Sequence, residues 1–203
     1  MSSTEPTYGI LGVGSIATAI VTGLCEGVAE PPWVVLSPRN AERAASLAAS
    51  LPSVRVATGN QAVVDASDVV VVCLRPTDAF DVLVGLDFRA DQAVVSAVAG
   101  LSVAHLAELV APVLDIARSI PLPAVATRES MTPVHPATPA VTGLFDRLGR
   151  SLVVDDETAY ESVAAASATV VGRARFARAR LRGVGSGAHN ARRTERAVRT
   201  RPG

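Results

Sequence analysis

Lysine is missing altogether: all 19 basic residues of this 203-residue chain are Arg, set against 19 acidic ones. An all-Arg cation set points to a GC-rich coding sequence rather than to an activity. Aromatics are nearly as scarce, with one Trp, two Tyr and four Phe, so no interleaved stacking surface for single-stranded nucleic acid can be assembled. The two cysteines, Cys25 and Cys73, lie far apart in apolar segments. They read as small buried hydrophobes in a reducing compartment, which excludes a disulfide framework. His105, His135 and His189 have no ligand spacing, so no metal site is expected, and no Ser-His-Asp or Cys-His set can be assembled. No apolar run reaches the roughly 18 residues needed to cross a membrane, and no basic segment leads into an apolar signal core. A cytoplasmic protein is the expectation.

What is present divides in two. Hydrophobic residues make up 49% of the chain, enough for a real core. The zero net charge conceals a split: residues 1–172 hold 9 Arg against 18 acids, and residues 173–203 hold 10 Arg against one. The body is acidic and the tail basic, which marks two compositional regimes.

The stretch from Tyr8 to Asn40 carries the strongest pattern. A short apolar strand, about Tyr8 to Leu11, meets a Gly12-x-Gly14-x-x-Ala17 turn, and a helix from Ser15 to about Gly27 puts Ile16, Ile20 and Leu24 on one stripe. A second strand follows at Trp33 to Leu36. This is the opening of a dinucleotide-binding unit: Gly12 permits the tight turn, Gly14 lets a pyrophosphate approach bare backbone, and Ala17 lets helix pack on strand. The helix start aims free N–H groups at the phosphates. A carboxylate after the second strand would select a ribose 2′-hydroxyl. Here Ser37, Pro38, Arg39 and Asn40 stand instead, with no acid before Glu42. Arg39 can hold a 2′-phosphate as a fork, and Ser37 and Asn40 can donate to it. NADP is thus favoured over NAD. The alternative for Arg39 is a solvated side chain, and Asn40 can also cap the next helix.

Further elements follow in alternation. Ala41 to Ser50 reads as a helix, Val54 to Ala57 as a strand, and Asn60 to Asp65 as a short helix. Asp68 to Leu74 is a continuous apolar run typical of a strand buried on both faces. Pro76 opens a helix through about Val84, Ala93 to Val98 is another buried strand, Ser102 caps the next helix, and Val113 to Arg118 is a further strand. Such alternation implies an α/β, doubly wound, mostly parallel sheet with ligands at the carboxyl ends of its strands. Gly12 to Ser15, Ser37 to Asn40, Leu74 to Pro76 and Ala97 to Gly100 then surround one crevice. From Ser119 four prolines suggest an ordered loop or edge strands at the rim, and topology puts Ser130 and Thr132 near the crevice. Val141 to Leu148 reads as a helix, Ser151 to Val154 as a last edge strand, and Asp156 to Val171 as a helix capped by Asp155 or Asp156. Asp65 and Asp68 read as helix or strand-end caps. From Gly172 the chain lacks apolar periodicity, so disorder or a frayed helical start is expected.

Gly-Val-Gly-Ser-Ile-Ala, Ser-Pro-Arg-Asn, Asn60-Gln61, Val72-Cys-Leu-Arg-Pro76, Val98-Ala-Gly100 and Arg118-Ser-Ile-Pro121, in that order, resemble pyrroline-5-carboxylate reductases over about residues 7–171. The resemblance implies a Rossmann-like NADP-binding domain over 1–154, the start of a helical dimerisation domain over 155–171, and an Arg-rich tail over 172–203. It implies reduction of 1-pyrroline-5-carboxylate, an imine, to L-proline by NADPH. By position Gly12, Gly14, Ser15 and Ile16 would meet the pyrophosphate, and Ser37, Arg39 and Asn40 the 2′-phosphate. Asn60 would lie on the adenosine side; Leu74, Arg75 and Pro76, with Ala97, Ala99 and Gly100, would lie on the nicotinamide side. The family usually carries Lys where Arg75 stands and Asn where Leu122 stands. Its members form homo-oligomers through a C-terminal helical domain that also supplies donors to the substrate carboxylate. Nothing in Gly172 to Gly203 resembles that domain, so no catalytic residue is named. A frameshift or truncation is the expectation for the tail, with a phosphate-binding or passive solvated tail as rivals. Two alternatives remain open: an NADP-binding remnant without turnover, and a dehydrogenase resembling coenzyme F420-dependent NADP reductases.

Overall fold

Four consecutive valines set the centre of the molecule. In the computed structural model, which describes residues 5–167, Val69–Val72 form β4 and all four are buried. Such a strand is stable only with layers on both sides. Those layers come from α1 (Ser15–Cys25), α2 (Ala41–Ser50), α3 (Asn60–Asp65), α4 (Pro76–Leu83), α5 (Val103–Leu109) and α6 (Pro139–Asp146). The sheet adds β1 (Tyr8–Leu11), β2 (Val34–Leu36), β3 (Val54–Val56), β5 (Ala93–Ser96), β6 (Asp115–Ser119), β7 (Ser130–His135) and β8 (Gly149–Val153). Its strand order is β3-β2-β1-β4-β5-β6-β7-β8. Neighbours pair in parallel except β6 with β7, so the expected Rossmann-like architecture is present.

The period-2 alternation of each strand divides the core. Ile10, Val34, Leu36, Val71 and Val95 face a cluster with Ile20, Leu24, Leu47, Leu144 and Phe145. Leu11, Val35, Val70, Val72 and Val94 face the other side, against Val63, Leu83, Phe88 and Leu106. Each such aliphatic or aromatic side chain taken out of water contributes about 1.5–3 kcal/mol before the entropic costs of ordering. This bilayered core holds the carboxyl ends of β1, β2, β4 and β5 along one edge.

Three local expectations are corrected. The Pro-rich segment does not stay at the rim: after a 3-10 turn at Pro123–Thr127, β7 carries Pro133 between β6 and β8. The proline is tolerated because β6 pairs with β7 at only two positions, Arg118 with His135 and Ser119 with Val134. The Pro133 carbonyl still accepts from Ile120 N at 3.0 Å. In a strand a residue's N and O point the same way, so the missing N–H of Pro133 falls where that short ladder ends. Asn40 precedes α2 but makes no side-chain cap bond, its amide being used elsewhere. Ser130 and Thr132 are buried, with their hydroxyls 3.2 Å apart and paired to each other, so they serve the core rather than the crevice. Two expected caps hold: Ser102 Oγ accepts from His105 N at 3.2 Å and Asp156 Oδ1 from Ala159 N at 2.9 Å.

One compact unit extends through Glu161. Residues 162–167 are helical, and Ser167 Oγ donates to Val163 O at 2.9 Å. The expected Arg-rich tail, 172–203, lies outside the described residues.

Candidate functional site

The strand order reverses between β1 and β4, and an open α/β sheet forms its ligand crevice at such a switch point. The turn after β1 is built by close approach. Gly12 has φ +90°, and a Cβ there would stand 2.8 Å from the Cys73 carbonyl oxygen at the end of β4. Only glycine meets both demands. Gly14, two residues on, is the N-cap of α1, and nothing lies within 4 Å of where its Cβ would be. The first turn of α1 contains no acid and its cap residue makes no side-chain bond, so no cap side chain takes up the leading N–H groups at the positive end of the helix. Ser15 and half-buried Ile16 occupy that first turn.

The three residues of the expected 2′-phosphate set stand together beside the glycine turn. Ser37 is buried and its Oγ accepts from Gly12 N at 2.9 Å, so it braces the glycine turn. Asn40 donates through Nδ2 to Val13 O at 3.1 Å and braces the other side of the same turn. Arg39 reaches outward: its side chain is 60% exposed and its Nη1 bonds Asp78 Oδ2 at 2.9 Å. Arg75, after β4, donates to the same oxygen from Nε at 3.1 Å and Nη2 at 2.9 Å. These bonds from Arg75, and the nearby charges, hold the Asp78 carboxyl below its usual range. Asp78 and Arg43 were not picked out from the sequence. Arg43 sits in the first turn of α2 and its Nη1 lies 3.3 Å from Ser15 Oγ, which brings a further guanidinium to the start of α1. A basic residue three positions past Asn40, at the start of a helix, was the available signal for Arg43. Asp78 had none beyond its place in the turn after Pro76.

Asn60 opens α3, half-buried, on the β3 side. Pro76, Ala99 and Gly100 come together around a cavity of about 270 Å³ between α4 and α5, lined also by Phe80, His105 and Glu108. Leu74 packs its side chain against the Gly12 turn, and Ala97 N bonds Val72 O at 2.8 Å. Both therefore shape the strand ends rather than the cavity. Cys73 has its thiol pushed up to about 12 by burial, which removes it as a nucleophile near neutral pH.

A second cluster closes the far end of this edge. Arg118, on β6, is 2% exposed, and its Nη1 lies 2.9 Å from Glu157 Oε1 and 2.6 Å from Glu161 Oε1. Its guanidinium carbon stands 4.6 Å from the Tyr160 ring centroid. Glu157 Oε1 also accepts from Val103 N, the first residue of α5, at 3.1 Å. That bond, with Arg118, depresses the Glu157 carboxyl despite partial burial, and burial raises the Tyr160 phenol. Among the described residues no group of His, Cys, Asp and Glu could hold a metal, and no helix is long and apolar enough to cross a membrane.

Known proteins of the same form put this arrangement in context. Residues 7–100, just under half of the chain, match the family described as NADP oxidoreductase coenzyme F420-dependent. No curated protein matches by sequence. Among solved structures, the 1-pyrroline-5-carboxylate reductase of Streptococcus pyogenes is 24% identical with a TM-score of 0.63, covering 93% of this chain and 80% of its own. A pyrroline-5-carboxylate reductase from Coxiella burnetii is 19% identical with a TM-score of 0.65, covering 81% of this chain and 64% of its own. A reductive aminase from Aspergillus terreus, in complex with NADPH4, cyclohexanone and allyl amine, gives 20% and 0.67, covering 86% and 63%. The chain thus spans less than two thirds of the last two. Over residues 7–100 the chain is similar to the family described as NADP oxidoreductase coenzyme F420-dependent, and its fold is shared with pyrroline-5-carboxylate reductases.

Proposed function

We propose that this chain is an NADPH-dependent oxidoreductase acting on a small imine, with 1-pyrroline-5-carboxylate, reduced to L-proline, as the substrate to test first. The observation that carries the reading is the open Gly14 position at the acid-free start of α1, flanked by Arg39 and Arg75. The donor set fits a phosphorylated dinucleotide. Leading N–H groups of α1 suit a pyrophosphate, and the Arg39 and Arg75 forks, which meet on Asp78, suit a 2′-phosphate, a place for Arg75 other than the nicotinamide side that the resemblance implies. Bound there, the reduced nicotinamide would supply a hydride. The chain's own part is to bind and orient. Gly12 and Gly14 bring backbone close to the pyrophosphate, Ser37 and Asn40 stiffen that turn, and the 97–100 loop with Pro76 borders the space for the nicotinamide end. Little acid–base help is required for hydride transfer to an imine; position and exclusion of water matter most. A homo-oligomer and a cytoplasmic setting belong to the same proposal.

A second reading has its own support, since the family matching residues 7–100 is described as coenzyme F420-dependent. In it the hydride passes between NADP and coenzyme F420. The two readings separate in one experiment. The full chain is titrated with NADPH and NADH by fluorescence, and pyrroline-5-carboxylate or oxidised coenzyme F420 is then added while NADPH absorbance is followed. NADPH consumption with the imine supports the first reading, and consumption with F420 the second. Binding without turnover with either makes the chain a cofactor-binding protein only. Gly14→Asp is the control: its carboxylate would enter open space at the start of α1. Nucleotide binding should fall by more than about tenfold through like-charge repulsion, with the melting temperature unchanged. Retained binding in that variant would sink the placement of the pyrophosphate.

A further inference from the structure

The crevice holds an internal anion. Asp78 stands in the first turn of α4 with its side chain 18% exposed. Its Oδ2 receives Arg39 Nη1 at 2.9 Å, Arg75 Nη2 at 2.9 Å and Arg75 Nε at 3.1 Å, while Oδ1 accepts from Thr77 Oγ1 at 3.1 Å. Arg39 follows β2 and Arg75 follows β4, the two strands that flank β1. One carboxylate oxygen therefore closes a bridge across the end of β1, beside the Gly12 turn. Among the described residues Asp78 is the acid with which both arginines pair. The arginine side chains are otherwise well exposed, at 60% and 74%, and free to exchange one anion for another.

Resting on the reading of this crevice as an NADP site, we propose that Asp78 is a specificity-determining residue: its carboxylate occupies the two guanidiniums that a cofactor 2′-phosphate needs, and the phosphate must displace it. A phosphate monoester carries a charge of about −1.5 to −2 with three acceptor oxygens, so it can satisfy two forks at once. A 2′-hydroxyl can do neither and leaves the bridge closed. Binding of the phosphorylated cofactor therefore breaks the Asp78 contacts, while binding of the unphosphorylated one does not. Two arginines against one acid leave a single net positive charge; without the acid the same place holds two. Asp78 consequently lowers the preference for NADPH over NADH, and the chain discriminates less sharply than its two arginines would allow.

The test uses the full chain as wild type and Asp78→Asn, a substitution that keeps the shape and removes the charge. Each is titrated with NADPH, NADH, 2′,5′-ADP and 5′-AMP at low ionic strength, where exposed charges are least screened. Asp78→Asn should tighten NADPH and 2′,5′-ADP by about fivefold, the scale of exposed ion pairs, and shift NADH and 5′-AMP by less than about twofold. Adding Arg39→Ser to Asp78→Asn should erase the gain. An equal gain for NADH, an unchanged or weaker NADPH affinity, or a gain that survives Arg39→Ser overturns the inference. Wild-type protein that prefers NADPH by a ratio Asp78→Asn does not move overturns this inference alone, whereas wild-type protein that binds neither nucleotide overturns the NADP reading as well.

Discussion

Arg118 makes the sharpest energetic prediction because the exposure across its ion pairs is so uneven. The guanidinium is 2% exposed, while Glu157 and Glu161 are 41% and 49% exposed. Removing one acid leaves Arg118 the other, and the lost partner was half in water already, so each single alanine substitution should cost only about 1 kcal/mol. Glu157→Ala should be the worse of the two, since it also strips Val103 N of its acceptor. Removing both leaves a buried cation beside the Tyr160 ring with neither carboxylate, and an orphaned buried charge costs about 3–5 kcal/mol. The double substitution should thus exceed the sum of the singles by at least about 1 kcal/mol. The measurement is urea denaturation of the four proteins in a double-mutant cycle, with thermal melting alongside. At about 2–4 °C per kcal/mol for a domain of this size, the double variant should melt about 6–20 °C lower. Arg118→Met supplies the converse: it removes the charge with its burial problem and should cost less than the double variant. Additive singles, or a double variant within about 1.5 kcal/mol of wild type, would refute the account of Arg118 as a charge held by two half-solvated acids.

Two further outcomes follow from local geometry. Gly12→Ala should destabilise the chain by about 1–3 kcal/mol through its positive φ, with the Cys73 carbonyl contact adding to the loss; urea denaturation beside Gly14→Asp, at an open position, separates backbone strain from cofactor repulsion. The depressed Glu157 carboxyl, held down first by the Val103 N–H and then by Arg118, gives a signed pH effect. A lowered folded-state pKa contributes stability at and above the ordinary value of 4.5, and that contribution is lost as pH falls below it. The melting-temperature gap between wild type and Glu157→Gln should hold steady from about pH 7 to 5 and narrow on acidification below about pH 4; a gap that widens there would contradict the assignment.

Legibility in the sequence tracked the range of the forces involved. The Val69–Val72 run, the Gly12 turn and the α2 and α3 ranges could be read because each is decided within a few residues, by alternation, a φ requirement or a helix-compatible composition. Pro133 misled because Pro is excluded from a central strand only where its N–H is needed, and that depends on how far β6 and β7 run together. Such a length is fixed by the sheet and not by the segment. Ser130 and Thr132 were drawn toward the crevice by topology, yet each satisfies the other inside the core, a pairing two residues apart that hydroxyl content alone does not reveal.

The crevice shows the same division at finer grain. Ser37, Arg39 and Asn40 group together because all three can donate to a phosphate, and donor capacity alone does not reveal the further bonds each side chain makes. Ser37 Oγ accepts from Gly12 N and Asn40 Nδ2 donates one N–H to Val13 O, so both also belong to the frame that holds the glycine turn. What the local motif could not supply is the counter-ion: Asp78 lies 39 residues beyond Arg39 and meets it because the β3-β2-β1-β4 order sets β2 and β4 on either side of β1. The arginine pair is a product of topology, and so is its acid. A cofactor preference proposed from the residues after β2 alone therefore leaves out Arg75 before α4 and Asp78 within it, the other charges that meet Arg39 at the end of β1.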